Sequence, residues 1–102
     1  MSNSNYKVIG QDGKEIINEE FPLHPGYLIE MEIDARDLKK QDVAHELGIR
    51  PQHLSELMNE KRHVSALLAL KLERLFGIDA DYWLRVQSGY DLVKARKKLQ
   101  LV

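Results

Sequence analysis

The sequence predicts an all-α domain of five helices, preceded by a short N-terminal β-hairpin or arm. Three observations support this fold class. The chain has 102 residues, the size of one domain. From Pro25 onward, apolar residues recur at helical spacing, with proline, serine, aspartate or glycine where helices begin and end. Before Pro25, two short apolar runs flank an Asp-Gly pair, which is typical of a hairpin.

The first 22 residues differ in character from the rest. The runs Tyr6-Lys7-Val8-Ile9-Gly10 and Lys14-Glu15-Ile16-Ile17 flank Gln11-Asp12-Gly13. A lone two-stranded hairpin is marginally stable in water. We therefore expect this segment to dock on the helices, to meet a partner or to be partly disordered. We divide the chain into an N-terminal extension, residues 1–22, and a helical domain, residues 23–102.

The first two helices are predicted from their termini and their apolar spacing. His24-Pro25-Gly26 opens the first, because proline suits the first helical turn. Its buried face is expected to hold Leu28, Met31 and Ala35. The second runs from about residue 40 to residue 47 and should bury Val43, Ala44 and Leu47. Gly48 then ends it in a left-handed conformation, which glycine adopts without steric cost.

The last three helices have similar signals. The third begins at Pro51 and should bury Leu54, Leu57 and Met58. The fourth has Ser65 as its N-cap, ends at Gly77 and should bury Leu68, Leu72, Leu75 and Phe76. Asp79 is expected to cap the fifth, whose cationic end is a solvated helix C-terminus: Lys94, Arg96, Lys97 and Lys98.

Residues 42–59 have the pattern of a helix-turn-helix unit. Ala44 stands where two helices approach closely, Gly48 follows four residues later, and Ile49 occupies the turn before a second amphipathic helix. In such a unit the second helix presents its N-terminal side chains to base edges in the DNA major groove. Any two amphipathic helices joined by glycine share part of this pattern, but here the buried and polar positions separate cleanly.

The polar face of the third helix carries groups that suit DNA. Arginine pairs with guanine, glutamine pairs with adenine, and glutamate accepts from the cytosine amine. The residues that we expect to read bases are Arg50, Gln52, His53 and Glu56. The residues that we expect to hold phosphates are Lys40, Ser55, Asn59, Lys61 and Arg62.

Three segments together resemble a known family. They are Leu23-His24-Pro25-Gly26-Tyr27-Leu28, the helix-turn-helix core, and residues 75–92, which contain Trp83-Leu84, Gln87 and Tyr90-Asp91-Leu92. The resemblance spans roughly residues 23–98 and is to HigA-type antitoxins, also called VapI-like proteins, of the Cro/XRE helix-turn-helix superfamily. It implies a homodimer that binds a palindromic operator in its own promoter. It also implies neutralisation of HigB, a RelE-like toxin that cleaves mRNA at the ribosome.

The sequence departs from that family at three places. Lys39 and Lys40 stand where members often have Ser and Gln, so the usual cap of the second helix is missing. Glu60 replaces the glycine of an Asn-Gly-Lys turn, so we expect a differently shaped loop and a repulsive charge near DNA. The acidic extension lies outside the common core, and the family implies no role for it.

The composition argues against several other classes of protein. Cysteine is absent, which excludes disulfides and thiolate metal sites and fits a cytoplasmic location. No apolar run approaches the length of a membrane span, and the polar start is no signal peptide. The four histidines lack paired metal-ligand spacing, and there is no nucleophile motif or glycine-rich phosphate loop. We expect no metal, no cofactor and no catalysis.

The charge is unevenly distributed along the chain. The net charge of −1 alone argues mildly against nucleic acid. Residues 1–36 carry three Lys or Arg against seven Asp or Glu, whereas residues 37–102 carry twelve against nine. This asymmetry suits a nucleic-acid face and a separate partner face, although surface variation alone can produce it.

Alternatives remain open for the last helix and for the function. In the last helix, the aromatic and apolar residues belong either to the core of one chain or to a core that two chains share: Tyr82, Trp83, Val86 and Tyr90. We assign them to the dimer interface, because a domain this short gains by dimerising. Besides an antitoxin, the sequence allows a repressor without a toxin and a protein-binding module with incidental DNA affinity.

Overall fold

In a computed structural model of the chain, residues 23–100 are described, and they form five α-helices. The helices are α1 (Pro25–Ala35), α2 (Lys40–Leu47), α3 (Pro51–Met58), α4 (Ala66–Phe76) and α5 (Ala80–Gln100). The prediction of five helices is confirmed. The hairpin predicted within residues 1–22 lies outside the described residues, so the hairpin and the boundary at residue 23 stay predictions.

The ends of the helices follow local side-chain chemistry, with one exception. The Ser65 hydroxyl accepts from Leu68 N at 3.1 Å, as predicted for an N-cap. Gly48 and Gly77 have φ of 68° and 73°, as predicted for left-handed helix ends. At the start of α5, however, Ala80 N donates to the Glu73 carboxylate at 2.7 Å. Asp79 accepts hydrogen bonds from the first turn of α5 through its backbone carbonyl. The predicted side-chain cap by Asp79 is therefore replaced by a cap from α4.

The core joins apolar residues from all five helices, but α1 turns a different face to it than predicted. Ile29 and Ile33 are buried, while Met31 and Ala35 are exposed and Leu28 is only half-buried. Both stripes have helical spacing, so periodicity could not choose between them. The predicted buried faces of α2, α3 and α4 are confirmed, with Met58 and Leu75 half-buried beside the buried members: Val43, Ala44, Leu47, Leu54, Leu57, Leu68, Leu72 and Phe76.

A close approach of α1 to α3 decides which face of α1 is buried. Gly26 lies directly against the backbone of α3, and a Cβ at this position would overlap the Leu57 carbonyl oxygen. Only glycine lets the two helix backbones come this near. The side chains one and two turns further along α1, Ile29 and Ile33, therefore point into the core.

The long helix α5 packs against α4 and is held at its start by Trp83. This side chain is completely buried, and its indole N–H donates to Ile78 O at 3.2 Å. Next to it, the Arg36 guanidinium donates to Phe76 O at 2.9 Å and lies over the Phe76 ring, which ties the end of α1 to the end of α4. Among residues 23–100, no helix is long and apolar enough to cross a membrane.

Candidate nucleic-acid interface

The helix-turn-helix unit consists of α2, α3 and the turn between them. Ile49 N donates to Ala44 O at 3.0 Å, which closes the turn after left-handed Gly48. Arg50 is extended and Pro51 is the first residue of α3, so the helix begins abruptly with its first turn facing solvent. Because Leu54 and Leu57 are buried, the opposite, polar face of α3 is fixed outward.

The structure brings all four predicted base-reading residues together. Arg50, Gln52, His53 and Glu56 line one open depression at the N-terminal end of α3. Arg62, which was predicted to hold a phosphate, lines the same depression from the loop that follows α3. The spacing within α3 explains the first four, whereas the position of Arg62 depends on the path of the loop.

Glu56 is the centre of a small hydrogen-bonded cluster in this depression. Its Oε2 accepts from Gln52 Nε2 at 3.2 Å, and its Oε1 accepts from Arg62 Nε at 2.5 Å. These two hydrogen bonds, that of Arg62 above all, hold the pKa of Glu56 below its ordinary value. Glu56 is therefore a carboxylate on an otherwise cationic and neutral face, with both of its oxygens already paired.

A second open groove adjoins the first and is more cationic. It is lined by His53, Lys61, Arg62, His63 and Lys71, with Ser65 and three apolar residues, Ile49, Leu67 and Leu68. Lys71 was not predicted to take part. Its ammonium comes within contact distance, 3.5 Å, of where a Cβ on Gly48 would lie, so α4 delivers this cation to the helix-turn-helix turn. No sequence spacing signals that approach, because it follows from the packing of α4 on α2.

The other predicted phosphate contacts are more dispersed. Lys40 is the first residue of α2, and its ammonium lies 3.8 Å from the Glu30 carboxylate on α1. Ser55 and Asn59 are exposed neighbours at the end of α3, with Asn59 Nδ2 3.5 Å from Ser55 Oγ. These three residues line neither groove, so they flank the site rather than form it.

The loop between α3 and α4 takes its shape from a left-handed residue and from α5. Glu60 has φ of 63°, a left-handed conformation that glycine takes without cost and that strains a residue with a side chain. The Tyr90 hydroxyl donates to Glu60 Oε1 at 3.2 Å. Further along, Val64 N donates to the buried Gln87 Oε1 at 2.7 Å, and His63 Nε2 lies 3.2 Å from Asp91 Oδ1. This role of Gln87 was not predicted from the sequence.

His53 lines both grooves, so its charge bears on the binding of an anionic ligand. Partial burial and the neighbouring Arg62 cation hold the pKa of His53 below its ordinary value of 6.5. It is therefore mainly neutral at pH 7 in the free protein. A phosphate brought close to it would favour the protonated form.

The four residues assigned to a dimer interface differ in exposure. Tyr82 is exposed, and Val86 and Tyr90 are half-buried. The Tyr90 ring meets the His24 ring edge-on, with centroids 4.7 Å apart. Trp83 is fully buried in the protomer's own core, which corrects its assignment, because it offers no surface to a second copy.

The described part of the chain offers no cluster of metal ligands. Among residues 23–100, no three His, Asp or Glu side chains come together in a way that could hold a metal ion. His63 approaches the single carboxylate of Asp91, with Nε2 at 3.2 Å from Oδ1.

Known proteins show the same fold and similar sequences. The model of a family described as helix-turn-helix matches residues 29–83. Virulence-associated protein I of Dichelobacter nodosus is 35% identical over 86 residues, which cover 83% of this chain and 80% of that protein.

Two solved structures extend the comparison. An addiction module antidote protein of the HigA family from Coxiella burnetii superposes with a TM-score of 0.72 at 32% identity, covering 76% of this chain and 85% of that one. Antitoxin HigA of Pseudomonas aeruginosa, solved with the higBA promoter, superposes with a TM-score of 0.72 at 29% identity, covering 76% of this chain and 86% of that one.

Proposed function

The chain belongs to the helix-turn-helix family, among its HigA-type and VapI-like members, and is not an enzyme; we propose that it is an antitoxin that binds operator DNA as a homodimer. On this proposal it represses its own operon and neutralises a RelE-like, mRNA-cleaving toxin in the cytoplasm. The observation that carries the DNA part is the outward polar face of α3, where Arg50, Gln52 and His53 share one depression beside the cationic loop.

The proposed DNA contacts fall into two groups. Arg50, Gln52 and His53 read base edges in the major groove, because side chains of the first turn of a recognition helix reach them. Lys40, Ser55, Asn59, Lys61 and Arg62 hold phosphates on either side of α3 and fix its orientation. The placement of Lys61 and Arg62 in one groove supports the second group.

The proposed homodimer suits the palindromic operator that the family resemblance implies. A twofold axis must place the two recognition helices about 34 Å apart, one turn of B-DNA. The surface that we assign to the second copy is that of α5, through Tyr82, Val86 and Tyr90. In support, the ring of Tyr82 is exposed on this helix, and an exposed aromatic side chain supplies apolar area for an interface.

The toxin partner is proposed from charge as well as from family. A ribonuclease must hold RNA and is expected to be basic, and residues 1–36 of this chain carry seven acidic residues against three basic ones. An acidic surface on the antitoxin would attract such a partner.

Co-expression with the adjacent reading frame, followed by mobility shift on the upstream promoter at two salt concentrations, tests the proposal. We expect a specific, salt-sensitive shift that a co-purifying basic protein alters. A specific shift without a partner would instead identify a repressor that has no toxin. If no promoter fragment shifted, DNA binding would be wrong, and a protein-binding module would be the better description.

A variant of one base-reading residue refines the same experiment. Gln52→Ala should relax specificity at one base pair, by about 1–3 kcal/mol. A glutamine can make two hydrogen bonds to adenine, and alanine can make neither of them. The binding of operators changed at other positions should follow the wild type. If the variant discriminated every operator change as the wild type does, the polar face of α3 would not be the reading surface.

A further inference from the structure

Glu56 is hydrogen-bonded within the protein through both of its carboxylate oxygens. One carboxylate oxygen accepts from Gln52, one helical turn earlier, at 3.2 Å, and the other accepts from Arg62 in the following loop at 2.5 Å. Each oxygen keeps a second lone pair, but the two hydrogen bonds direct the carboxylate toward Gln52 and Arg62. The two donors also keep unused hydrogen-bonding atoms.

The ion pair between Glu56 and Arg62 contributes little to folding. The two side chains are 30% and 51% exposed, and pairs of solvated charges stabilise proteins only slightly. A carboxylate on a DNA-facing surface also opposes binding, because it repels phosphates. Neither stability nor electrostatic attraction therefore accounts for this residue, whereas the orientation of its two partners does.

We propose that Glu56 is a positioning residue that orients Gln52 and Arg62 for DNA and contacts no base itself. The proposal rests on the proposed operator binding and deepens it. With one amide hydrogen on Glu56, Gln52 keeps its second hydrogen and its carbonyl oxygen, the donor and acceptor that an adenine edge requires. With Nε on Glu56, Arg62 keeps both terminal nitrogens for a phosphate.

The test is a comparison of base preferences. Wild-type protein first selects its preferred sequence from a pool of randomised DNA duplexes. Binding to every single-base variant of that sequence is then measured for Gln52→Ala, Glu56→Ala, Glu56→Gln and the double alanine variant. Because Glu56 acts through Gln52, we expect both alanine variants to lose about tenfold discrimination at the same base pair. The double variant should lose no more than either single variant, and Glu56→Gln, which keeps an acceptor, should retain part of the preference.

A matched Glu–Arg pair elsewhere serves as the control. Glu32 and Arg36 on α1 form an ion pair at 2.9 Å with similar exposure, outside both grooves. Glu32→Ala should leave every base preference unchanged. Thermal unfolding of each variant checks that none has lost its fold.

The other outcomes are distinct. If the wild type selects no sequence, the proposed function fails. If it selects one but Glu56→Ala loses discrimination at a base pair of its own, Glu56 reads that base and the positioning role is wrong. If Gln52→Ala changes no preference, Glu56 has no reader to orient, and the proposal is equally overturned.

Discussion

The two faces of α3 are built on different principles. The buried face fits α1 by shape, with Leu57 against Gly26 and no room for another atom. The solvent face is organised by charge and hydrogen bonds, with Glu56 between Gln52 and Arg62. The buried face fixes the position of α3 in the domain, and the solvent face carries the groups that can bind a ligand. Changes on the first should therefore alter stability, and changes on the second should alter binding.

The largest effect is expected on the buried face. Gly26→Ala should lower the free energy of unfolding by about 3 kcal/mol, because the new methyl group would overlap backbone atoms of α3, which cannot move aside as a side chain can. Urea denaturation measures this. Gly89→Ala is the control, since a Cβ there meets nothing within 4 Å, and it should stabilise the protein by about 0.5–1 kcal/mol. Equal stabilities for the two variants would refute the shape argument.

On the solvent face, Lys61→Ala should weaken binding to all DNA sequences alike. Loss of one phosphate contact reduces the slope of log affinity against log salt by about 1. Titrations at several salt concentrations measure the slope, and urea denaturation should show unchanged stability. Arg74→Ala, which removes an exposed cation of α4 that lines neither groove, is the control and should keep the wild-type slope. A change in base preference would instead make Lys61 a reader.

Glu60 combines a left-handed backbone with a charged, hydrogen-bonded side chain. Its replacement should change the free energy of unfolding less than Gly26→Ala does. Glu60→Gly relieves a left-handed backbone, worth about 1 kcal/mol, and loses the hydrogen bond from Tyr90, worth about 0.5–1.5 kcal/mol. The two effects nearly cancel. Affinity for DNA should rise, because a negative charge leaves the loop. Glu60→Gln separates the effects, since it removes the charge but keeps the strained backbone, and an unchanged affinity in both variants would show that Glu60 is remote from DNA.

The smallest expected effect is a pH dependence of the free energy of unfolding, which arises from the buried His24. Burial holds the pKa of His24 below its ordinary value of 6.5, partly opposed by the nearby Glu60 and Asp91 carboxylates, with His63 acting in the same direction as burial. The neutral Nδ1 accepts from Gly26 N at 2.9 Å. As the pH falls below 6.5, the unfolded chain takes up a proton that the folded chain does not, so the free energy of unfolding falls.

His24→Asn tests this dependence, because asparagine also caps helices but does not titrate. Denaturation at pH 7.5, 6.5 and 5.5 should show a smaller loss of stability for His24→Asn than for the wild type. His45→Asn on the exposed side of α2 is the control and should follow the wild type. A loss of equal size in all three proteins would assign the dependence to other groups.

The sequence predicted the elements well because their signals are local. Proline and glycine at Pro51 and Gly48, and the serine cap at Ser65, act within a few residues of where they stand. The face of α1 was mispredicted because two stripes have the same period and only the distant backbone of Leu57 distinguishes them. The spacing of apolar residues along the chain does not reveal a long-range steric contact.

The site was predicted as a set of residues but not as an arrangement. The helical spacing between Gln52 and Glu56 makes their contact foreseeable, because residues four apart are neighbours. The contact between Glu56 and Arg62 depends on a loop, and the arrival of Lys71 depends on how α4 crosses α2. Both are properties of tertiary structure, and pairwise spacing along the chain does not encode them.

The loop that carries Lys61 and Arg62 is held by the helix that comes last in the chain. Its anchors, Val64 to Gln87 and Glu60 to Tyr90, join residues 23 and 30 positions apart. When α5 detaches, the part of the loop around Val64 should therefore open, whereas Lys61 and Arg62 keep their hydrogen bonds to Glu56 of α3. In native-state hydrogen exchange, we expect the Val64 amide to share the opening free energy of α5 rather than that of α3. The order of the cationic loop then depends on α5 as well as on α3.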